Sequence, residues 1–176
     1  MAQDFAMRYF ILCFGLCALA SCATLDEDEC RAGDWYEVGK RDGAKGRAED
    51  FVFQHAKACN PFGVAPQAGP WREGRLEGLK FYCRPSEAYR LGARGRRLAP
   101  VCAGDTEDLE RANARGLRWH EIGREIDSVE REIASINAQL SALAIDHPSR
   151  ASLISQRSFL RLDLLSLRAE RARYRL

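Results

Sequence analysis

Ile122, Ile126, Val129, Ile133, Ile136, Leu140 and Leu143 follow one another at alternating steps of four and three. That spacing sets them on one stripe of a helix and repeats every seven residues, as a coiled-coil seam does. It predicts a long helix starting near Thr106. Asp146, His147, Pro148 and Ser149 then read as a turn, with Pro148 placed to open a second helix because its fixed φ and missing N–H suit a first helical turn. Folding that second helix back sets Leu143 on Leu153, Ile136 on Leu160, Ile133 on Leu164, Val129 on Leu167 and Ile122 on Tyr174. Arg157 and Arg171 fall opposite Leu140 and Ile126, across which their aliphatic stems can lie. Residues 105–146 carry ten acids and five arginines, and residues 147–176 carry seven arginines and two acids, so the two arms attract. The second helix also has Ile154, Phe159, Leu162 and Leu165, more apolar surface than one seam buries. This surplus is the candidate partner surface, to be covered by the head, by a second copy in a homo-oligomer, or by an envelope protein.

The other end of the chain is a targeting signal. Residues 5–20 read FAMRYFILCFGLCALA, with one positive charge at Arg8 and then an apolar run. That run is well short of the roughly 20 residues that span a bilayer, and it matches the apolar core of a secretory signal peptide. Met7 is an alternative start to Met1, since Asp4 sits badly in a basic leader. Leu19, Ala20 and Ser21 lead directly into Cys22, which is a lipobox. The expected product begins at Cys22, with a diacylglycerol on its sulfur and an acyl chain on its new N-terminus. One chain holds only marginally, at about 0.8 kcal/mol per buried methylene, whereas three anchor firmly. Ala23 in place of an aspartate directs the anchored protein to the outer membrane, facing the periplasm.

Of seven cysteines, Cys13 and Cys17 leave with the signal and Cys22 is acylated, so Cys30, Cys59, Cys83 and Cys102 remain. In an oxidising compartment four cysteines read as two disulfides. If glycines near Gly46 break the first helix, Cys30 returns to Cys59 and Cys83 to Cys102, closing the shorter loops. If residues 34–58 form one helix, its rise of about 1.5 Å per residue holds Cys30 and Cys59 more than about 30 Å apart, and Cys30–Cys83 with Cys59–Cys102 results. His55 and Cys59 stand at helical i, i+4 spacing, but without a C-x-x-C pair they do not make a metal site.

Every lysine and all four of these cysteines precede residue 103. The chain therefore divides into a signal (1–21), a lipidated acidic tether (22–29) in which Asp26 to Glu29 are solvated, a disulfide-stapled head (30–104) and a helical hairpin tail (105–176). The expected fold is mainly α: a small stapled head rich in glycine and aromatics, then a long antiparallel, coiled-coil-like hairpin. Trp35, Gly39, Gly43; Trp71, Gly74, Gly78; and Tyr89, Gly92, Gly95 form a loose threefold repeat of an aromatic followed by glycines. Such glycines let another backbone approach a helix face, at about 1 kcal/mol each against alanine. Short β-hairpins are the rival reading of this spacing. Helices are preferred because residues 50–59 and 86–95, the latter with Ser86 as N-cap, read naturally so.

The strings CRAGDWYEVGKRDGAKGR, HAKAC, WREGRLEGLKFYC and LGARGRRLAPVC, in that order after a lipobox, resemble the bacterial lipoproteins grouped as domain of unknown function 2799. The likeness covers Cys30 to about Gly116. It implies the cysteine framework and a helix-rich continuation, and no activity, ligand or catalytic residue.

No phosphate-binding loop, GxSxG elbow, HExxH or dinucleotide fingerprint occurs, and no cofactor is expected. His120 and His147 read as structural or solvated, as does His55. Asp34 and Asp42 are a carboxylate pair by type only. A net charge of +2 and a secreted address argue against nucleic acid. The expected role is a lipid-anchored structural or protein-interaction module. The alternative is an enzyme or binder acting on cell-wall material or a small periplasmic ligand through a pocket in the head.

Overall fold

The computed structural model describes residues 23–176. The signal and Cys22 lie outside the described residues. Helices α1 (Glu27–Ala32), α2 (Trp35–Ala44), α3 (Val52–Cys59), α4 (Ala68–Tyr82), α5 (Pro85–Ala93), α6 (Glu107–Ala142) and α7 (Ser149–Arg173) follow in order, with single 3₁₀ turns at Glu49–Phe51 and Asn60–Phe62 flanking α3. No strand occurs among the described residues. The mainly helical head and antiparallel hairpin expected above are both present.

Glycine dictates how the head packs. A Cβ added to Gly39 would lie 1.9 Å from the Trp71 carbonyl oxygen, and one added to Gly43 2.0 Å from that of Arg75. Reciprocally, Gly74 faces the carbonyl of Tyr36 and Gly78 that of Lys40, at 1.9 and 2.1 Å. The contacts advance in the same direction along both helices, so α2 and α4 run parallel with backbones touching. A parallel pair needs a long return connection, and α3 with its 3₁₀ turns supplies it.

The same device recurs once. Gly92 of α5 faces the carbonyl of Asn113 at 2.2 Å, and Gly116 of α6 faces that of Tyr89 at 2.2 Å. Gly46 and Gly95 close the first helix of each pair in the left-handed region, at φ +71° and +74°, beneath the rings of Tyr82 and His120. Closing hydrogen bonds correspond too: Arg47 N donates to Asp42 O (3.0 Å) and Arg96 N to Leu91 O (2.9 Å). Arg75 Nε then donates to Arg47 O (2.7 Å), as Asn113 Nδ2 does to Arg96 O (3.0 Å). The chain records this correspondence as DGAKGR with LGARGR and GLKFY with GLRWH. The head is thus two copies of one parallel helix pair, not three short repeats, and Gly95 is a helix cap, not a face residue. Where the first pair has Gly39 and Gly74, the second has Ala88 and Ala112, and it keeps a single close glycine layer.

The disulfides obey the same duplication. Cys30–Cys59 and Cys83–Cys102, with Cα separations of 5.6 and 5.7 Å, each tie the segment before a pair to the connection inside it. This is the sequential pairing, available because α2 ends before Gly46. The closed loops, 29 and 19 residues apart in sequence, contribute about 3 to 4 kcal/mol each by chain entropy.

Three local expectations are corrected. Ser86 does not cap α5: Pro85 occupies the first turn and Arg84 precedes it, since proline is preset for that position. Asp26 to Glu29 are not a free tether. Asp26 Oδ1 accepts from Glu29 N (2.8 Å) and the Glu29 carboxylate reaches back to Asp26 N, a capping box that starts α1, while Leu25 beside it is buried. Nor does the head end at residue 104, because Asn113, Gly116 and His120 of α6 complete its second pair.

Beyond that pair α6 runs on and α7 returns along it. The seam positions named from sequence, Ile122 to Leu143, are all buried or half-buried, and the half-buried positions of α7 include Leu153, Leu160, Leu164 and Leu167. Val129 and Leu167 line one crevice, as the expected register requires. Arg168 pairs with Glu130 (2.7 Å), and Arg118 joins Glu170 of α7 to Glu121 of its own helix (2.8 Å each). Hydrogen bonds to Glu121 and Glu170 push the Arg118 guanidinium further above its ordinary range. Arg171 stacks on the Trp119 ring, 3.8 Å from its centroid, and donates to the Trp119 carbonyl (3.2 Å). The hairpin end returns to the head, where Tyr89 Oη donates to Tyr174 O (2.9 Å).

Candidate functional site

Two places stand out: a buried polar chain in the head and a bare apolar face on the hairpin. In the first, α2 supplies Asp42, α3 His55, α4 Trp71 and the leading segment Thr24. His55 is 1% exposed. Its Nε2 lies 2.7 Å from Asp42 Oδ2, which also accepts from Trp71 Nε1 (2.9 Å), and its Nδ1 lies 2.8 Å from Thr24 Oγ1. With Asp42 as the acceptor for both rings, His55 Nε2 donates to it and Nδ1 meets the threonine hydroxyl.

In the second helix pair the positions of Asp42 and Trp71 are held by Leu91 and Leu109, both buried. Apolar residues therefore satisfy this architecture, and a buried hydrogen-bonded set is often no more stabilising than apolar residues of similar shape that replace every partner. What the polar version adds is a bond to Thr24. Hydroxyl, imidazole and carboxylate stand in the order of a nucleophile relay. Here the imidazole is enclosed, and the hydroxyl belongs to the segment being held, so the chain works as a latch on residues 23–25. Sequence reasoning missed it, having set His55 aside as structural and found nothing special in Asp42; aligning DGAKGR with LGARGR would have exposed Asp42 as the odd residue. Asp34, its proposed companion, caps α2 by accepting from Glu37 N (3.1 Å) and takes no part.

On the hairpin, Ile154, Phe159, Leu162 and Leu165 are 42, 66, 63 and 62% exposed. At about 100° per residue they centre on the side of α7 opposite its seam. The head does not cover them, which removes one of the three occupants considered. The residues brought together elsewhere are structural: Cys30, Cys59, Cys83 and Cys102 are all in disulfides, and the imidazole of His120 lies against Ala93 O (3.3 Å). In the interhelical turn, Ser149 N donates to His147 Nδ1 (3.2 Å). Among the described residues no three His, Cys, Asp or Glu side chains cluster to hold a metal ion, and no helix is long and apolar enough to cross a membrane. A groove of 960 Å³ runs along α6 from Gly95 and Arg97 past His120 to Arg131. It is an open trough of mixed charge in which Arg118 engages Glu121 and Glu125.

No curated protein and no solved structure matches the chain. A family model does, over residues 34–118, and its description is "Protein of unknown function (DUF2799)". That span begins at the cap of α2 and ends just past Gly116, taking in both helix pairs and leaving out the hairpin beyond them. Over residues 34–118 the chain is thus similar to the DUF2799 family.

Proposed function

We propose that this is a lipid-anchored envelope protein, outer-membrane bound and facing the periplasm, whose hairpin presents an apolar face to a partner protein. The signal-like leader, the lipobox at Cys22 and two disulfides support the address. The observation that carries the role is the bare face of α7: four large apolar side chains exposed on a helix whose opposite side already has a complete seam. The partner is a helix with apolar residues flanked by acids. Arg161 lies beside the bare face, is exposed and has no ion pair among the described residues, while Arg168 on the same flank pairs with Glu130. A second copy of α7 would bring like charge against like, since residues 147–176 carry a net +5.

Leu162→Glu with Leu165→Glu is expected to leave the monomer folded and to abolish association in membrane extracts, seen as a loss of the larger species in sedimentation. An unchanged profile removes the partner. Cys22→Ser is expected to shift the protein from membranes to a soluble or unprocessed form and to stop fatty-acid labelling; continued labelling removes the anchor.

A further inference from the structure

We propose that the corner of the head formed by residues 23–25 and α3 lies flat on the lipid surface that holds the anchor, with Phe53 entering the headgroup layer. The inference rests on acylation of Cys22. Thr24 is bonded to buried His55, and Leu25 is itself buried, so the chain is fixed two residues after Cys22. An extended chain covers at most about 3.6 Å per residue, which leaves the acylated sulfur within roughly one side-chain length of the head surface. No slack remains for the head to turn away. The polar latch thus has a use that leucines at the same positions do not supply: it sets how the head meets the membrane.

The surface at that corner fits a lipid interface. Ala23 and Thr24 line a crevice of 530 Å³ with Lys57, Pro61 and Phe62. One turn before Lys57, on the same outward side of α3, Phe53 is 65% exposed. An aromatic ring beside a lysine that can extend its ammonium to phosphate is a composition the interface favours. Asp26 and Glu27 form the other rim of the crevice. Lysine on one rim and acids on the other match a zwitterionic headgroup, which carries both charges, better than an anionic one.

The test uses the full acylated chain in phosphatidylethanolamine–phosphatidylcholine vesicles, with the photoreactive substitution Phe53→p-benzoylphenylalanine and, as control, the same change at Ile145, which is 92% exposed at the far tip of the hairpin. After flotation and irradiation, lipid adducts at position 53 are expected to exceed those at 145 by at least about tenfold. Flotation with equal yields at the two positions overturns this proposal and leaves the anchor standing. Failure of the acylated chain to float overturns both.

Discussion

Replacing Gly43 with alanine is expected to lower the unfolding midpoint by about 10 °C, a loss of about 3 kcal/mol or more. The new methyl would lie 2.0 Å from the Arg75 carbonyl oxygen and 2.9 Å from Leu79 N, both backbone atoms of a helix. Backbone cannot swing aside as a side chain can, so α2 and α4 must separate along their whole contact and strip the seal from Trp35, Val38 and Trp71. Gly92→Ala is expected to act likewise on the second pair, with Asn113 O at 2.2 Å. Gly69 is the control: it lies in α4, and an added Cβ would meet nothing within 4 Å. Gly69→Ala should be neutral or stabilising by up to about 1 kcal/mol, because alanine is the better helix former. Equal behaviour of Gly43→Ala and Gly69→Ala in thermal unfolding would contradict the close approach.

The second large effect is expected at Asp42. Asp42→Leu leaves His55 Nε2 and Trp71 Nε1 as buried donors without an acceptor, at about 1 to 3 kcal/mol each. It should also free the leading segment, read as faster amide exchange at residues 23–33 than in the unaltered protein. Adding His55→Leu removes one stranded donor, so the double variant should cost less than the sum of the two single ones, with a coupling of about 1 kcal/mol or more. Additive losses, or exchange at residues 23–33 unchanged in Asp42→Leu, would show that these side chains do not form the latch.

The hairpin was legible because its signal is local and redundant. Seven seam positions, a proline at the turn and opposite charge on the two arms all point to one register, and none depends on the rest of the chain. The head was legible in kind and not in arrangement. Glycine spacing announced close helix packing, but which helices meet depends on a parallel crossing between residues some 35 apart, and nothing in a single segment encodes it. The two disulfide pairings stayed level for the same reason, since the choice turned on whether α2 breaks at Gly46. The acidic stretch was read by composition when its spacing held the answer: Asp26 and Glu29 are a capping box. The Asp42–His55–Trp71–Thr24 chain joins four separate segments, and only comparison of the two helix pairs marks Asp42 as exceptional. The apolar surplus of α7 is exposed, where sequence alone left the head, a second copy and an envelope protein as its covers; the hairpin meets the head through Tyr174 at its end.

Site-specific photocrosslinking in intact cells from Phe159 and Leu162 tests the partner face most directly, with the seam residue Leu160 as reference. A covalent adduct to a different protein is expected from Phe159 and Leu162, to be lost when Leu165→Glu is added and absent from Leu160. Adducts joining two copies of this chain, or none from the outer face of α7, would contradict it.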